Sequence, residues 1–501
     1  MLPEMITIIS RLFVLLALGP AAGPTGMERV TLQELETATG GRAIACNPAA
    51  IAFERVTTDS RTARPGDLFW ALPGEQHDGH EFVADAMSRG AVACVLQENK
   101  TVAGVPAVVV PDVLQGLQDF ARSQRQRMDA LVIGVTGTVG KTTTREMLHA
   151  ALSPTFAGCR SRKNFNNHIG VPLSVLDIES SHEFAVLELA ASRQGEIAKL
   201  AEIARPEVGV LTSIGVAHLD GFGSIAMIAA TKAELLESLP PSGFAVINGD
   251  DPRCLAVTAR AHCPVISVGE GTNNTLQATS VKTDSRSLRF AVDGTTYEVP
   301  AVGRHHLVGG LAAVAVGREL GVKPRDLAEG LSRFVPVPGR CVVKQRRPWT
   351  LIDDTYNANP TSAEAACRLL ADWNDHRTND RGRRILVLAD MLELGAEAAH
   401  WHASIGACAA KLGLDGLVAV GNHASDLVAG ARQAGMQSEQ LAQCDELDVV
   451  AAVLNCWLEP GDVVLVKGSR SMRMECVVEQ LASLSNIQEN IAPFTSTRAC
   501  A

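Results

Sequence analysis

The sequence predicts an α/β protein of three domains, with a central P-loop domain on a parallel sheet and a C-terminal, doubly wound, Rossmann-like domain. Three observations favour this class. The chain has 501 residues, enough for about three domains of ordinary size. Apolar runs of strand length alternate with helical stretches along most of it. A glycine-rich loop follows one of these runs at residues 137–140.

Residues 1–26 are predicted to be an extension or a mis-called start. Residues 12–22 form an apolar run like the core of a signal peptide, but it is far shorter than the roughly 20 residues that span a bilayer. Glu4 offsets Arg11 ahead of the run, so the net positive charge of a signal peptide is missing, and Met27 opens an ordinary globular sequence. A true signal peptide is the alternative, and a mature N-terminus just after the run would identify it.

The N-terminal domain is predicted to cover residues 27–127. Short apolar segments that suit buried strands alternate there with helical stretches. The predicted strands are 67–72, 91–96 and 107–110, and the predicted helices are 80–89 and 114–127. The second helix is amphipathic and rich in Arg and Gln, which favours a domain boundary at its end.

The central domain, residues 128–335, is predicted to contain a parallel sheet. Its apolar runs are nearly continuous, as in strands that are buried on both faces. These runs are 131–135, 184–189, 208–214 and 244–248. Residues 276–299 alternate in polarity, which predicts an antiparallel excursion, and residues 309–320 predict a return to helix.

The C-terminal domain, residues 336–488, shows a second series of strands and helices. Apolar runs at 349–356, 384–390, 416–420 and 462–468 are each followed by a helical stretch. This order predicts a doubly wound sheet whose ligands lie at the carboxyl ends of the strands. Residues 489–501 are predicted to be a frayed tail.

The composition limits the class of partner. The net charge is −10, from 45 basic and 55 acidic residues, and an acidic surface repels phosphate backbones, so nucleic acid is not an expected partner. The 12 cysteines include no C-x-x-C pair, so their spacing indicates neither a zinc site nor a thioredoxin-like motif. A reduced, cytoplasmic compartment fits this pattern.

The strongest motif is LVIGVTGTVGKTTT at residues 131–144. An apolar strand leads into glycines that let successive N–H groups face an anion, beside the positive end of a new helix. Lys141 supplies a charge for the β- and γ-phosphates, and the Thr142 hydroxyl suits Mg²⁺. Val135 replaces the first glycine of the strict P-loop pattern, but strand, loop and helix together predict nucleotide binding. The predicted contact residues are Thr136, Gly137, Thr138, Val139, Gly140, Lys141, Thr142 and Thr143.

Five further residues are candidates for metal binding and chemistry. Glu188 ends a predicted strand, where a carboxylate would reach Mg²⁺, and His218 follows the next strand. Lys232 lies in a helical stretch, Asp354 ends a strand of the third domain, and Arg340 lies in the loop before it. These residues also have structural interpretations. His218 could be a packed histidine, Lys232 a solvated lysine and Asp354 a helix-capping or turn-forming aspartate. Together with the loop they predict a phosphate-facing rim.

Several longer motifs resemble the Mur ligases, and the match covers roughly residues 30–485. The motifs are TTDSRTARPGDLFWALPGEQHDGHEF (57–82), TGTVGKTTT (136–144), NFNNHIGVPLSVL (164–176), LELAASRQGEI (187–197), AHLDGFGS (217–224), VPGR (337–340), DDTYNANPTSAEA (353–365), DMLELG (390–395) and VKGSRSM (466–472). The absence of a D-N-P-R motif favours the member that adds a dipeptide over the member that adds diaminopimelate.

The resemblance implies a cytoplasmic, monomeric, three-domain ligase that uses ATP and Mg²⁺. Such an enzyme phosphorylates the terminal carboxylate of UDP-N-acetylmuramoyl-tripeptide, and the amine of D-alanyl-D-alanine then attacks the acyl phosphate. The expected role is therefore in peptidoglycan precursor synthesis, and through it in cell wall biogenesis, cell shape and cell division. No nucleic acid and no stable membrane insertion are expected.

The resemblance also implies roles for individual residues. Thr142, Glu188, His218 and Lys232 would serve the metal sites, with Lys232 converted to a carbamate by CO₂. Arg340 and Asp354 would meet ATP. The predicted substrate-binding residues are Asp59, Ser60 and Arg61 for the uridine diphosphate, Asn166 and Asn167 for the tripeptide, and Asn357 and Asn359 for the dipeptide, with Lys467 and Ser469 nearby.

The sequence departs from the family at one nucleotide motif. The G-x-H-N-x-x-N stretch is Gly-Arg-His-His-Leu-Val-Gly at residues 303–309, so His306 and Gly309 replace two asparagines expected near the adenosine. His306 can still donate a hydrogen bond to the nucleotide, whereas Gly309 has no side chain. Two alternatives therefore stay open: a nucleotide-binding paralogue with impaired catalysis, and a related ligase for another substrate, of the folate-glutamate or cyanophycin type.

Overall fold

The structure is a computed structural model that describes residues 27–74, 76–346, 349–373 and 382–489. The predicted extension at 1–26 and nearly all of the predicted tail at 489–501 lie outside these residues. In the described part of the chain, no helix is long and apolar enough to cross a membrane. Three helix-covered sheets follow one another along the chain, which confirms the predicted α/β class.

The N-terminal sheet has the spatial order β2-β7-β6-β5-β4, and all its neighbours are parallel except β2 and β7. A separate antiparallel pair joins β1 to β3. The strands are β1 Val30–Thr31, β2 Arg42–Ile44, β3 Ala52–Phe53, β4 Arg55–Thr57, β5 Asp67–Trp70, β6 Ala93–Gln97 and β7 Ala107–Val110. The helices are α1 Leu32–Thr39, α2 Val83–Ser88 and α3 Val113–Arg125.

Aromatic packing holds α3 against this sheet. The fully buried Trp70 of β5 stacks on Phe120 of α3, with 6.0 Å between ring centroids, and its Nε1 donates to the Val113 carbonyl at 2.7 Å. At the far end of α3, the buried Arg125 guanidinium lies 3.1 Å from the Glu207 carboxylate of the central domain. Helix α3 therefore connects the first two domains.

The central domain contains a seven-stranded parallel sheet in the order β14-β13-β12-β11-β8-β10-β9. All six residues of β8, an inner strand between β11 and β10, are buried, which accounts for its continuous apolar run. The strands are β8 Leu131–Thr136, β9 Gly158–Arg160, β10 Phe184–Glu188, β11 Val208–Leu211, β12 Phe244–Asn248, β13 Val265–Gly269 and β14 Leu276–Gln277.

Helices cover both faces of this sheet, and a small antiparallel sheet packs beside it. The helices are α4 Lys141–Leu152, α5 Gly170–Leu176, α6 Glu196–Ala204, α7 Leu219–Phe222, α8 Ile225–Ser238, α9 Pro252–Ala256, α10 Leu307–Glu319 and α11 Pro324–Ser332. The antiparallel strands are β15 Thr279–Thr283, β16 Leu288–Val292 and β17 Thr295–Val299. The predicted antiparallel excursion is confirmed from Thr279 onward, whereas β14 still pairs in parallel with β13.

The C-terminal sheet has the order β18-β19-β23-β20-β21-β22 and is parallel except between β18 and β19. Its strands are β18 Val342–Arg346, β19 Trp349–Asp354, β20 Arg384–Ala389, β21 Gly416–Val420, β22 Leu441–Cys444 and β23 Val463–Lys467. Its helices are α12 Pro360–Ala371, α13 Ala398–Lys411, α14 Ala424–Gln433, α15 Leu447–Trp457 and α16 Glu475–Glu489.

Alternate residues of the C-terminal strands enter two different cores. In β20, Leu386 and Leu388 pack in the core that contains α12, α13 and α14, while Ile385 and Val387 pack in the core that contains α15 and α16. Successive side chains of a strand point to opposite faces, so the sheet is covered on both sides. This is the doubly wound arrangement that the sequence predicts.

Candidate active site

A cavity of about 640 Å³ lies between the central and C-terminal domains. This volume is within the usual range for small-molecule sites. The carboxyl ends of β10 and β11 open on one side of it, and those of β19 and β23 open on the other. Most of the predicted site residues line it: Gly137, Thr138, Val139, Gly140, Lys141, Thr142, Thr143, Asn166, Asn167, Glu188, His218, Lys232, His306, Arg340, Asp354, Asn357 and Asn359.

Residues 137–140 form the turn from β8 into α4. Gly137 has a φ of 148°, and a Cβ built there would lie 2.0 Å from Thr212 Oγ1, so the close approach requires glycine. Gly140 precedes α4 without a side-chain cap. Among the described residues, no side chain caps the first N–H groups of α4, which lie on the wall of the cavity, and this arrangement suits an anion.

Val135, which replaces the first glycine of the strict motif, belongs to the strand rather than to the turn. It is fully buried in β8 and pairs with Glu188 of β10. The turn is therefore short and begins at Gly137. The same pairing places the Glu188 carboxylate beside the turn.

Backbone carbonyl groups hold the ammonium of Lys141. Its Nζ donates to the carbonyl oxygens of Gly137 at 2.8 Å and Thr138 at 3.2 Å. No carboxylate of the described residues lies within ion-pair distance of it. Desolvation lowers the pKa of Lys141, Glu188 opposes this shift, and the positive charge of Arg340 adds to it. An anionic ligand would relieve this uncompensated charge.

A group of oxygen donors lies beside the turn. The buried Glu188 carboxylate accepts hydrogen bonds from Thr142 Oγ1 at 2.9 Å and from Asn166 Nδ2 at 2.8 Å. Arg145 Nη1 approaches the same carboxylate at 3.5 Å. Two of these three partners, Thr142 and Asn166, are predicted site residues. Hydroxyl and carboxylate oxygens are the ligands that Mg²⁺ prefers.

Lys232 is buried in α8, with its Nζ 5.6 Å from the centroid of the Phe222 ring. Its ammonium has no carboxylate within ion-pair distance among the described residues. Desolvation, reinforced by the charge of Lys141, lowers the pKa of Lys232 to about 7. Near neutral pH a large share of this side chain is therefore an uncharged amine.

His218 lies on the same wall and contacts the C-terminal domain. Its φ of 50° is in the left-handed region, which is uncommon for a residue other than glycine. Its Nδ1 pairs with the carboxylate of Glu393. Desolvation lowers the pKa of His218, while Glu393 raises it. His218 thus takes part in a contact between the two domains that enclose the cavity.

The opposite wall carries an ion pair and a stacked arginine. Lys467 Nζ, at the end of β23, donates to the Asp354 carboxylate at 2.6 Å because the two residues are paired in neighbouring strands. Arg340 lies with its guanidinium carbon 3.9 Å from the centroid of the Tyr356 ring. The buried Arg340 Nε has no hydrogen-bond partner among the residues that the structure describes.

Three of the predicted asparagines also support local structure. Asn167 Oδ1 accepts from Gly170 N at 2.9 Å at the start of α5. Asn359 is the N-cap of α12 and accepts from Ser362 N at 2.9 Å. Asn357 Oδ1 accepts from Ala358 N at 2.9 Å. Their side-chain oxygens are engaged by backbone, so their free amide groups are what they can offer to a ligand.

The residues that replace the two family asparagines lie at the start of α10. His306 is 8% exposed and lines the cavity. At Gly309, a Cβ would lie 2.9 Å from Thr144 Oγ1 and 3.0 Å from the Met147 sulfur. Helix α10 therefore packs so closely on α4 that an asparagine at position 309 would require the Thr144 and Met147 side chains to move.

Five predicted residues lie outside the cavity. Ser469 is buried, and its hydroxyl accepts a hydrogen bond from Leu392 N at 2.8 Å. Thr136 is fully buried and its hydroxyl donates to the Leu189 carbonyl at 2.7 Å, so its side chain is engaged in the sheet. Asp59, Ser60 and Arg61 lie in the N-terminal domain after β4. The exposed Arg61 guanidinium lies 2.7 Å from the Asp59 carboxylate.

Sequence reasoning missed three residues that build the site. Arg145 lies one helical turn after Lys141 in α4. Only this helical spacing could have indicated that its side chain lies near the site. Thr212 Oγ1 lies so close to residue 137 that only glycine fits there. In the sequence, only the position of Thr212 after a predicted strand could have indicated this contact. Glu393 pairs with His218, and it belongs to the DMLELG motif.

Comparisons with known proteins identify the family. The Mur ligase family catalytic domain matches residues 52–125, the Mur ligase middle domain residues 135–317, and the Mur ligase glutamate ligase domain residues 339–470. UDP-N-acetylmuramoyl-tripeptide--D-alanyl-D-alanine ligase of Bacillus subtilis (strain 168) is 35% identical over 433 residues, which is 85% of this chain and 92% of that protein. The chain belongs to the Mur ligase family. The Escherichia coli (strain K12) protein of the same name is 33% identical over 91% of this chain and 99% of its own length.

Solved structures of Mur ligases share the whole fold. MurF from Acinetobacter baumannii superposes with a TM-score of 0.82 at 32% identity, over 91% of this chain and all of that chain. The MurF ligase from Thermotoga maritima in complex with ADP superposes with a TM-score of 0.75 at 30% identity, over 87% of this chain and 98% of that chain. These matches confirm the predicted family, the three-domain Mur ligase fold and the assignment to the ligases.

Proposed function

We propose that this Mur ligase joins D-alanyl-D-alanine to UDP-N-acetylmuramoyl-tripeptide, with ATP as the source of energy, in peptidoglycan precursor synthesis. We further propose that it acts as a monomer in the cytoplasm, and that its domains cover residues 27–127, 128–335 and 336–488. Every cysteine that the structure describes is a free thiol, which is typical of a reducing compartment. Relatives that bear the name of this activity match at least 85% of the chain.

The observation that carries the proposal is the cavity lined by Lys141, which has no carboxylate partner among the described residues. A phosphate loop on one wall faces a cationic linker residue, Arg340, on the other. A triphosphate between these cations would have its terminal phosphate held for attack by a carboxylate. Positioning and charge neutralisation then account for most of the catalysis, since phosphoryl transfer demands little covalent chemistry of the protein.

The oxygen donors beside the loop fit a divalent cation. The Thr142 hydroxyl and the Glu188 carboxylate are hard donors of the kind that Mg²⁺ takes, and Asn166 orients the carboxylate. The chemistry that Mg²⁺ supplies at this position is neutralisation of the phosphate oxygens. His218, which faces the same cavity, is the proposed further ligand.

Lys232 fits the proposed role of a carbamate. With a pKa of about 7 it presents a neutral amine at physiological pH. The amine nitrogen can form a bond with the carbon of CO₂ and release one proton to water, which leaves an anionic carboxylate on the side chain. The reaction thus converts a buried amine into an anionic group that can bind a metal ion, and its negative charge would offset the positive charge of Lys141.

The substrate groups would approach from three directions. Asp59, Ser60 and Arg61 on the N-terminal domain are proposed to hold the uridine diphosphate. Asn166 and Asn167 would face the peptide, whose terminal carboxylate accepts the γ-phosphoryl group. Asn357 and Asn359 would receive D-alanyl-D-alanine, whose amine attacks the acyl phosphate and displaces inorganic phosphate through a tetrahedral intermediate.

One assay tests the reaction. The protein is incubated with ATP, Mg²⁺, D-alanyl-D-alanine and the UDP-linked tripeptide, in parallel with diaminopimelate and with lysine as third residue. ADP, phosphate and the mass of the product are followed. Release of phosphate that requires both the tripeptide and the dipeptide is expected. ATP hydrolysis that is indifferent to either of them contradicts the proposal.

Replacing Lys141 tests the role of the loop. Lys141→Ala removes a preorganised charge from the transition state, so we expect turnover to fall at least ~10²-fold. Lys199→Ala, at an exposed position of α6, is the matched control and should keep wild-type turnover. Near-normal turnover of the Lys141→Ala protein would contradict the proposed role.

A nucleotide-binding protein without turnover is the second candidate. It is favoured by one observation, the replacement of two family asparagines by His306 and Gly309 at the start of α10. The same assay separates the two functions. Magnesium-dependent ATP binding without any phosphate release, with both tripeptides supplied, would establish the second candidate.

A further inference from the structure

Two histidines and a cysteine meet where the cavity reaches the boundary between the central and C-terminal domains. His305 and His306 precede α10, and Cys341 precedes β18. One ligand atom of each residue lies within 4.8 Å of the other two. Among the described residues, no other group of three or more His, Cys, Asp or Glu side chains meets this distance criterion. The proposed phosphate and magnesium chemistry leaves the Cys341 sulfur without a role.

The spacing of the closest pair suits a tetrahedral metal ion. The Cys341 sulfur lies 3.6 Å from His305 Nε2. Bonds of about 2.3 Å to sulfur and about 2.0–2.1 Å to nitrogen, at a tetrahedral angle, place these two atoms about 3.6 Å apart. An ion can therefore be inserted between them with little movement, and small rotations of His306 bring a third donor into range.

The local backbone sets this geometry. Gly303 has a φ of 100°, and a Cβ there would lie 2.6–2.8 Å from Cε1 and Nδ1 of the His305 ring, so the absence of a side chain lets that ring lie against residue 303. The other ring nitrogen, Nε2, is then the one that faces Cys341. Cys341 itself has a φ of 53°, an uncommon conformation for a residue with a side chain. Strain of this kind persists only where the surrounding structure holds it.

The donors also determine which ions the group would accept. Imidazole nitrogen and thiolate sulfur suit Zn²⁺ and similar transition metals, whereas Mg²⁺ prefers oxygen. His305 is exposed and His306 is buried, and each imidazole, when neutral, offers the lone pair of one ring nitrogen to a metal ion. The thiol of Cys341 loses its proton to solvent when the sulfur–metal bond forms.

We propose that His305, His306 and Cys341 form a site for Zn²⁺ or a divalent transition metal of the same preference, with water in the fourth position. The ion links the start of α10 in the central domain to the linker that enters the C-terminal domain. The site does not depend on the proposed ligase reaction, because its donors are present whether or not the protein turns over. The spacing of cysteines could not predict it, since its ligands come from two separate segments.

Cobalt binding tests the site directly. Metal-free protein is titrated with Co²⁺ in the presence of excess Mg²⁺, which occupies oxygen-lined sites. We expect one equivalent of Co²⁺ to give the intense visible bands of tetrahedral cobalt together with a near-ultraviolet thiolate-to-cobalt charge-transfer band. One equivalent of Zn²⁺ should abolish both. The absence of the charge-transfer band would overturn the proposal.

Two variants and two controls assign the ligands. Cys341→Ser should remove the charge-transfer band, and His306→Asn should weaken Co²⁺ binding at least ~10-fold, since even indirect partners of a metal site contribute that much. His400→Asn and Cys456→Ser change exposed residues of the same types and should bind as the wild type does. Circular dichroism and the unfolding temperature without metal establish that each variant is folded. Unchanged Co²⁺ affinity in both folded site variants would overturn the proposal.

Discussion

At the scale of single residues, the site contains a lysine that is costly to bury. Lys232 in α8 is 3% exposed and has no carboxylate partner among the described residues, so the folded protein holds it partly as a neutral amine. Holding a buried amine neutral below its ordinary pKa of 10.5 destabilises the fold. The same neutrality is what reaction with CO₂ requires. Stability and chemistry therefore oppose each other at this position.

Replacing this lysine by an apolar residue of similar length separates the two effects. Lys232→Met should raise the free energy of unfolding at pH 7 by roughly 1–4 kcal/mol, because the desolvation cost is removed. It should also lower turnover at least ~10-fold, because a metal ligand is lost. Chemical denaturation in CO₂-free buffer and the phosphate-release assay measure the two outcomes.

The pH dependence provides the control. Between pH 7 and pH 10.5 the unfolded chain binds a proton at this lysine that the folded chain does not, so wild-type stability rises with pH in this window. The variant lacks this group. Its advantage should therefore shrink by about 1.4 kcal/mol per pH unit above pH 7. A difference between variant and wild type that is constant from pH 7 to pH 9 would contradict a lowered pKa at Lys232.

The positions of site residues were predictable from the sequence only where a motif fixes the geometry. Lys141 and Thr142 follow a turn that leaves few alternatives, and both line the cavity. Thr136 belongs to the same motif, but its hydroxyl is engaged by the Leu189 carbonyl because the strand continues through it. The partner of His218, Glu393, comes from another domain, and no local pattern can indicate such a contact.

At the scale of elements, two asparagines at the starts of helices also line the cavity. The Asn167 side chain accepts from the N–H of Gly170, the first residue of α5, and Asn359 is the N-cap of α12. A capping oxygen leaves the amide nitrogen of the same side chain available to a ligand. Each asparagine can therefore position a helix and contact a substrate at once. The sequence alone could not separate these two roles.

Two substitutions at Asn359 separate them. Ser keeps an oxygen for the cap but removes the amide, whereas Ala removes both. We expect Asn359→Ala to lower the free energy of unfolding by about 1 kcal/mol and Asn359→Ser to leave it within ~0.5 kcal/mol of the wild type. Both should raise the KM for D-alanyl-D-alanine if the amide binds it. An unchanged KM in Asn359→Ser would assign this residue to capping alone.

The elements themselves were more predictable than their order in space. Continuous apolar runs gave β7, β12 and β21 with their observed bounds, because strands that are buried on both faces are almost entirely apolar. The excursion at 276–299 was predicted as antiparallel throughout, but Leu276 and Gln277 extend the parallel sheet before the chain turns back. Which strand neighbours which depends on long-range packing that periodicity does not record.

At the scale of the whole molecule, two cations from different domains face one cavity. Lys141 of the central domain and Arg340 of the linker repel each other, and their repulsion adds to the lowering of the pKa of Lys141. Against this, His218 and Glu393 attract across the same boundary. A bound triphosphate would replace the repulsion by attraction to both cations. Nucleotide should therefore draw the central and C-terminal domains together.

Arg340→Met tests this coupling. The variant keeps an apolar side chain over the Tyr356 ring but removes the charge and the hydrogen bonds that the guanidinium would donate to the phosphates, so we expect affinity for a non-hydrolysable ATP analogue to fall ~10–100-fold. In small-angle X-ray scattering, the analogue with Mg²⁺ should reduce the radius of gyration of the wild type. When the analogue saturates Arg340→Met, it should reduce the radius of gyration of the variant less than that of the wild type. The reason is that the phosphates then attract a cation from only one of the two domains.

Two controls accompany this experiment: a variant of a surface arginine, and a comparison of Arg340→Met with the wild type in the absence of nucleotide. Arg432→Met, at an exposed position of α14, should behave as the wild type in both measurements, which excludes a general effect of net charge. Because Arg340→Met also removes the repulsion, the variant without nucleotide should be no more extended than the wild type. An equal contraction of Arg340→Met and wild type at saturation would show that the two domains close without this arginine, and Lys141 and the helix N-terminus would then suffice to hold the triphosphate.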